Sequence, residues 1–262
     1  MRICGSDDVR TFVAAVALLT ASCGGGVPVA PSPSSFGASV VAAPLVSAHF
    51  VFFYTTLDRA NIDVIARAAE AEYARVLSDL GVDLLPAVQV HFYADHQALE
   101  AAVAPVVGAI PSWASGLATA SDQIHLMSPN HPAYAPFDRM LSNVVHEFAH
   151  CVSMRVNPRI PNNPRWLWES VAIYESGQMV DPKNLAYMTA GQPPPFAALN
   201  SQGNTLVYDV GYTIGAFIVS KGGQAALTAL IRNNGDVAAT FGVSPDAFER
   251  EWYGFVRARY GI

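Results

Sequence analysis

Residues 49–93 carry the clearest fold signal in the chain and read HFVFFYTTLDRANIDVIARAAEAEYARVLSDLGVDLLPAVQVHFY. Its two ends, residues 49–54 and 88–93, are dense in β-branched and aromatic side chains and predict β-strands. Between them, residues 62–80 carry apolar side chains at the spacing of one helix face, which predicts an α-helix. A strand, a helix and a strand in this order predict an α/β unit.

The sequence beyond this unit first extends the pattern and then changes it. Apolar periodicity predicts one more helix and two more strands, at residues 97–107, 115–119 and 123–127. From about Pro136 onward the spacing of apolar residues is almost entirely helical. We therefore expect an α+β fold in which a small α/β lobe with a mixed sheet, residues 49–135, is followed by a mainly helical lobe, residues 136–262.

Two helices of the second lobe can be bounded by their proline and glycine residues. The first is predicted over residues 137–154, because the chain then reads Asn157-Pro158 and the residue before a proline is pushed away from helical geometry. The second is predicted to have Asn163 as its N-cap, Pro164 at its first helical position and Gly177 just past its end. These bounds predict a hairpin of two helices.

The composition limits the classes of partner. Of the 262 residues, 52% are hydrophobic and 14% are charged, so the chain can bury a sizeable core as one domain. The net charge is -6 and no basic cluster interrupts the acidic balance, so we expect no nucleic-acid partner. No run of about 18 to 20 strongly apolar residues occurs, and we expect no membrane-spanning helix in the mature protein. Nothing in the pattern indicates an oligomeric state.

The amino terminus has the pattern of an export signal. Residues 12–19 read FVAAVALL, which has about the length of the apolar core of a signal peptide, and small residues follow it up to Cys23. Small residues before a cysteine resemble a bacterial lipobox, in which cleavage before the cysteine leaves it carrying a lipid. We therefore predict a lipoprotein signal over residues 1–22, with a plain secretory signal or a chance apolar stretch as the alternatives.

The residues after this signal predict a tether. Residues 23–48 are rich in Gly, Pro and Ser, which cannot bury a core, so the folded part should start near His49. The predicted location is outside the bacterial cytoplasm, as a periplasmic or cell-surface lipoprotein or else secreted. The only membrane contact would be a lipid on Cys23. Cys151 would then be the single free cysteine, which we predict to be a buried structural thiol without a disulfide.

Residues 146–150 read His-Glu-Phe-Ala-His on the first helix of the predicted hairpin. Four helical residues turn the side-chain direction by about 400°, so His146 and His150 point the same way and can reach one ion. Glu147 lies about 100° further round the helix and can hold and deprotonate a water on that ion. The pattern therefore predicts a catalytic Zn²⁺ site, unless the two histidines share this helix by chance.

A catalytic zinc site needs a third protein ligand and an open fourth position. Glu169 on the next helix can supply the ligand, because the 18 residues after His150 contain the turn of the predicted hairpin. A third histidine of the HExxHxxGxxH pattern is excluded, since Ser153 and Val156 occupy its two diagnostic places. Glu175 is a rival ligand, but six residues beyond Glu169 it would point to the opposite helix face.

The motif and its spacing resemble those of the gluzincin zinc peptidases, the clan of the M1-type aminopeptidases and their smaller bacterial relatives called peptidase MA-like. HEFAH at residues 146–150 is followed by WLWESVAIY at residues 166–174, where the family has W-L-x-E-G-x-A-x-Y and the same spacing of 18 residues. The resemblance implies a zincin-like fold, Zn²⁺ as cofactor, and close packing at the glycine that Ser170 replaces here. It implies the metal ligands His146, His150 and Glu169 and the general base Glu147.

A fainter part of the resemblance concerns an oxyanion donor. Tyr208-Asp-Val210-Gly211 is similar to the Y-x-K-G segment of these enzymes, with Val210 in place of the Lys. Tyr212 shares a helix face with Tyr208, so either tyrosine could take the role, and the resemblance favours Tyr208. The G-x-M-E-N signature of the aminopeptidases is absent, so exopeptidase activity is not implied. In the family an edge strand aligns the substrate backbone, and residues 116–119 are the candidate.

These features predict a zinc-dependent metallopeptidase that hydrolyses a peptide or protein in a cleft between the two lobes. The alternative is a catalytically silent, zinc-stabilised binding module of the same fold. The retention of Glu147 argues against that alternative, because a purely structural zinc site needs no base. The substrate, and the choice between endo- and exo-cleavage, are left open.

Overall fold

The computed structural model of the chain describes residues 40–41, 43–132, 137–201 and 203–262. The predicted export signal over residues 1–22, the predicted lipidation of Cys23 and most of the predicted tether lie outside these described residues.

The described residues form one mixed sheet of five strands in the spatial order β1-β2-β3-β5-β4. The strands are β1 Leu45–Val46, β2 Phe50–Phe53, β3 Val88–Tyr93, β4 Gly116–Ala120 and β5 Gln123–Met127. The central strands β2, β3 and β5 are parallel to one another, whereas β1 and β4 pair antiparallel with their neighbours at the two edges. One backbone edge of β4 therefore pairs with no other strand of the described sheet.

The structure is mostly helical, with 55% of it in helices and 11% in strands. The helices are α1 Ile62–Asp79, α2 His96–Val107, α3 Phe137–Val156, α4 Arg165–Glu175, α5 Ala186–Thr189, α6 Phe196–Leu199, α7 Leu206–Arg232, α8 Val237–Phe241 and α9 Pro245–Tyr260, with a short 3₁₀ helix at Pro182–Asn184. The described strands all precede α3, so the predicted α+β class is confirmed.

The start of the folded region differs from the prediction. Strand β1 pairs with β2 through Leu45 and Val46, and a further bridge joins Val40 to Thr55. These residues belong to the stretch predicted as a tether, so the predicted start near His49 is too late. A two-residue strand is too short to show periodicity, and its pairing with a partner strand stabilises it.

The two helices of the predicted hairpin are present with slightly different ends. Helix α3 continues to Val156, because the proline restricts only Asn157, whose N–H still donates to the carbonyl of Ser153 at 2.9 Å. Pro164 is the N-cap of α4 rather than its first helical residue, since its ψ of 144° is extended. Gly177 has a φ of 68° just past the end of α4, as predicted.

Two apolar clusters cover the two faces of the sheet. On one face the rings of Phe50 in β2, Tyr73 in α1 and Phe148 in α3 contact one another at centroid distances of 5.2–5.8 Å. This cluster continues into α4, α7 and α9 and forms the main core. On the other face α2 packs Leu99 and Val103 over Tyr93 of β3 and over β5. The main core thus lies between the sheet and the second lobe and holds α3 against β4 and β5.

Helix α7 is the one helix of the described chain that is long and apolar enough to cross a membrane. Half of its most apolar window is buried in the structure, and Gly223 interrupts its helical geometry with a φ of 71°. Its glycines bring it close to α4, because a Cβ on Gly215 would lie 2.4 Å from that of Tyr174. These contacts are typical of a core helix.

Candidate metal centre

Helix α3 presents His146 and His150 one turn apart on one face. Their ring centroids are 4.8 Å apart and nearly perpendicular, and their exposed fractions are 7% and 4%. Phe148 and Ala149, between them, are buried in the main core and fix the direction in which this helix face points. The predicted pair of imidazoles is thus formed by local helix geometry and oriented by packing.

Helix α4 brings Glu169 to these two imidazoles. Its Oε2 lies 3.4 Å from Nε2 of His146 and 3.8 Å from Nε2 of His150, and one ligand atom from each of the three residues lies within 4.8 Å of the others. Its other carboxylate oxygen, Oε1, lies 3.9 Å from Nε of Arg165. This buried group of three donors could hold a metal ion.

The second residue of the motif, Glu147, stands beside this group. Its carboxylate is 6% exposed and interacts with the backbone N–H of Ala118 in β4, while Oε2 has no hydrogen-bond partner among the described residues. Burial raises the pKa of Glu147 to about 7, although the neighbouring charge of His146 opposes the shift. The carboxylate is therefore set up to take a proton near neutral pH.

The two histidines differ in their tendency to bind a proton. Burial lowers the pKa of His146, but its hydrogen bond to Glu169 and the nearby carboxylates outweigh this and raise the pKa overall. Burial, and then the charge of His146, lower the pKa of His150 well below its ordinary value. His150 is therefore neutral at pH 7, which is the state that binds a metal.

The structure separates the two tyrosines that the sequence left as alternatives. Tyr208 lines the cavity above Glu147 and is half-buried, with the ring of Trp113 at 5.8 Å and the guanidinium of Arg165 5.4 Å from its own ring. Burial raises the pKa of Tyr208, and Glu169 and Glu147 raise it further, so its hydroxyl stays protonated and can donate. Tyr212 instead contacts Tyr174 at 5.5 Å and lines a different cavity.

Ser170, the departure from the gluzincin pattern, is accommodated by a glycine on the facing helix. Its side chain is 0% exposed, and a Cβ on Gly211 would lie 3.3 Å from its Cα and 2.7 Å from Cδ1 of Ile173. The close approach of α4 and α7 is therefore made possible by the glycine of α7 rather than by one in α4. This approach places Tyr208, one turn earlier in α7, near the metal group.

A cavity of about 910 Å³ opens over His146 and Glu147. The start of β4 with Ser115 and Gly116 lines the cavity, and so does the segment after α4 with Gln178 and Met179. A Cβ on Gly116 would lie 2.4 Å from Leu126 and 3.1 Å from Oε1 of Glu147, so only a glycine lets the edge strand run this close to the carboxylate.

Two residues at the site were missed by the sequence analysis. Oε1 of Gln178 lies 2.9 Å from Nδ1 of His146. Arg165 is 3% exposed and donates from Nη1 to the carbonyls of Leu199 and Asn204, at 3.3 Å and 2.8 Å, so it joins α4 to the loop before α7. Gln178 has no motif spacing to the histidines, whereas Arg165 stands four residues before Glu169 on the same helix, a spacing that could have indicated this pair.

Other candidates are placed away from the site. Cys151 is buried, and its Sγ lies 3.3 Å from the carbonyl of Ala120, to which it donates, which agrees with the predicted structural thiol. His91 and His125 stack on each other at 5.1 Å in the sheet and belong to no metal group among the described residues. Glu175 points away from the histidines and pairs with Arg75 at 2.7 Å, so it belongs to no candidate metal group among the described residues.

No protein-family model and no curated protein matches this chain. The resemblance to gluzincin peptidases therefore rests on the sequence motif and its spacing.

Proposed function

We propose that the protein is a zinc-dependent metallopeptidase of the gluzincin type. One observation carries the proposal: a buried group of two imidazoles and a carboxylate stands next to Glu147, whose Oε2 is unpartnered among the described residues at the floor of a large cavity. The proposed roles are His146, His150 and Glu169 as zinc ligands, Glu147 as general base and Tyr208 as oxyanion donor.

The donor set fits Zn²⁺ in type and in spacing. Zinc binds His nitrogen and carboxylate oxygen at about 2.0–2.2 Å in tetrahedral geometry, which places two donors about 3.4 Å apart. The distances from Glu169 to the two imidazoles are 3.4 Å and 3.8 Å. Three protein ligands leave the fourth position open, as a catalytic site requires.

Zinc bound here would polarise the substrate carbonyl and bring the pKa of a bound water toward about 7. Glu147 would take a proton from the attacking water and later give it to the amine that leaves when the peptide C–N bond breaks. Oε2 of Glu147 has no hydrogen-bond partner among the described residues and is therefore the atom free to accept that proton. The protonated hydroxyl of Tyr208 would donate to the oxygen that gains negative charge.

The edge strand supports a peptide as the substrate. β4 is an edge strand of the described sheet, and the start of β4 lines the cavity next to Glu147. An extended peptide can pair with the free side of such a strand, which would bring a backbone carbonyl over the metal group. Export through the predicted signal, with or without a lipid on Cys23, belongs to the same proposal and concerns residues outside the described structure.

The test compares wild type with Glu147→Gln for bound zinc and for hydrolysis of a mixed peptide library. Glutamine keeps the size of Glu147 but cannot take a proton, so we expect turnover to fall by about 10²- to 10⁴-fold while one zinc per chain is retained. Glu175→Gln is the matched control, because it removes a buried carboxylate from α4 on the face away from the site.

The outcomes distinguish a peptidase from a silent zinc-binding module and from a chance motif. Zinc in both proteins with no hydrolysis by the wild type would support the silent zinc-binding module. Equal hydrolysis by wild type and Glu147→Gln would contradict the proposed role of Glu147. A wild-type chain that binds no zinc would mean that the HExxH pattern arose by chance.

A further inference from the structure

Gln178 occupies a special position immediately after α4. It follows Gly177, whose positive φ turns the chain back toward α3 at the end of the helix. Its Oε1 lies 2.9 Å from Nδ1 of His146, the ring nitrogen that does not face Glu169. A side chain nine residues beyond Glu169 in the sequence thus contacts the ring of another proposed metal ligand.

The amide of Gln178 is held in one orientation by its other contacts. Its Nε2 donates to Oγ of Ser142 at 3.0 Å and to Oδ1 of Asn143 at 2.7 Å, both in α3. Asn143 in turn donates from Nδ2 to Oγ of Ser115, at 3.4 Å, just before β4. In this arrangement the carbonyl oxygen of Gln178 is the atom that faces His146.

A carbonyl oxygen facing Nδ1 determines which ring nitrogen of His146 carries the proton. An amide oxygen can only accept, so Nδ1–H of the neutral imidazole donates to it and Nε2 keeps its lone pair. That Nε2 is the atom 3.4 Å from Glu169 within the metal group. The hydrogen bond therefore favours the tautomer and the ring orientation that can bind a metal.

The second histidine is oriented in a different way. Nδ1 of His150 is buried and has no hydrogen-bond partner among the described residues. Its ring stacks on Trp168 at a centroid distance of 3.9 Å and an interplanar angle of 7°, which orients the plane but does not select a tautomer. Within the described structure, Gln178 is thus the hydrogen-bond acceptor that orders the imidazole pair.

We propose that Gln178 is a positioning residue that holds His146 in the zinc-binding tautomer. This inference rests on the proposed zinc site and extends it to a residue outside the motif. Outer-shell partners of this kind typically change metal affinity by about 10- to 100-fold. Gln178 therefore sets zinc affinity without being a ligand.

The test measures zinc affinity of the full chain with a competing chelator for the wild type and three variants. Gln178→Leu removes the acceptor at similar size and should weaken zinc binding by about 10- to 100-fold. Gln178→Glu keeps an acceptor for Nδ1–H, and its affinity should stay within about threefold of the wild type. Gln192→Leu makes the same exchange at an exposed glutamine and should leave zinc affinity unchanged.

Two further readouts distinguish positioning from packing. The visible spectrum of the Co²⁺-substituted protein should change in Gln178→Leu and not in Gln178→Glu, because the change lies in ligand geometry. The thermal midpoint of the metal-free protein should be nearly equal in both.

Unchanged affinity in Gln178→Leu, with zinc bound by the wild type, would overturn this inference and leave the proposed function intact. Equal weakening in Gln178→Leu and Gln178→Glu, with equal loss of metal-free stability, would show a packing role and also overturn it. A wild type that binds no zinc would defeat the proposed function itself.

Discussion

Helix α4 carries two buried glutamates whose surroundings are opposite in kind. Glu169 is 6% exposed and Glu175 is 2% exposed, so burial does not distinguish them. Oε2 of Glu169 lies 3.4 Å and 3.8 Å from two imidazole nitrogens, whereas Oε2 of Glu175 lies 2.7 Å from the guanidinium of Arg75. The carboxylate of Glu175 has a guanidinium as its close partner, whereas that of Glu169 faces two imidazoles and has the guanidinium of Arg165 further away, at 3.9 Å. The partners, rather than the residue type, decide which glutamate can serve a metal.

Helix geometry explains why the two glutamates have different partners. Six residues separate their directions by about 240°, so Glu169 faces α3 and Glu175 faces α1. Arg75 of α1 also binds Glu72 at 2.6 Å and Asp79 at 3.1 Å, which makes it the centre of a small ionic network. The sequence predicted opposite faces for the two glutamates but not the arginine.

The largest expected difference between the two glutamates is in zinc affinity. Glu169→Gln removes the charge of a proposed ligand, and we expect zinc to bind more than about 100-fold more weakly, since losing a ligand should exceed the effect of losing an outer-shell partner. Glu175→Gln makes the identical exchange six residues away and should leave zinc affinity within about twofold. Competitive chelator titration measures both, and an equal loss in the two variants would contradict the assignment.

The second expected difference concerns the stability of the metal-free protein. Arg75→Met would leave the carboxylate of Glu175 buried without its cation. Breaking a buried pair costs about 3–5 kcal/mol, and because Arg75 is itself 42% exposed we expect a loss of about 2–3 kcal/mol in the free energy of unfolding. Urea denaturation at pH 7 measures the loss, with zinc affinity of the variant as the control. A loss below about 0.5 kcal/mol would mean that the pair contributes little.

The smallest expected effect is a pH dependence at Glu175. Burial raises its pKa from an ordinary value of 4.5 to about 7, although Arg75 opposes the shift. The folded state then binds this proton more tightly than the unfolded state, so the contribution to stability is full below pH 4.5 and is lost as the pH rises through about 7.

Glutamine resembles the protonated carboxyl at every pH. The stability of Glu175→Gln relative to wild type should therefore rise by about 2 kcal/mol between pH 5 and pH 7.5. Urea denaturation of both proteins across this range isolates the group, because every other titration is shared. A constant difference would show that Arg75 compensates fully for the burial.

The parts of the fold that followed from the sequence are those with strong local periodicity. The predicted strands at residues 88–93 and 123–127 agree with β3 and β5 residue for residue, and the helix predicted over residues 62–80 is α1. The two-residue strand β1 and the four-residue helix α5 were not predicted, because elements this short have no period to detect. Tertiary contacts stabilise them.

The candidate site likewise has a part that the sequence predicted and a part that depends on tertiary contacts. Spacing within one helix predicted that His146 and His150 act together, and the length of the connection allowed Glu169 to join them. The choice between Tyr208 and Tyr212 could not be made from helix periodicity, which puts both on one face, and only the resemblance favoured Tyr208. The choice depends on where α7 crosses α4, which its glycines allow at close range.

Backbone periods of two or 3.6 residues were enough to predict the α+β class, the paired imidazoles and the opposite directions of the two glutamates in α4. Tertiary packing was needed to bring Gln178 to His146, Arg165 to the carbonyl of Asn204, and Arg75 to Glu175. These contacts join residues from different elements, and their geometry is set by how the helices pack rather than by any spacing along the chain.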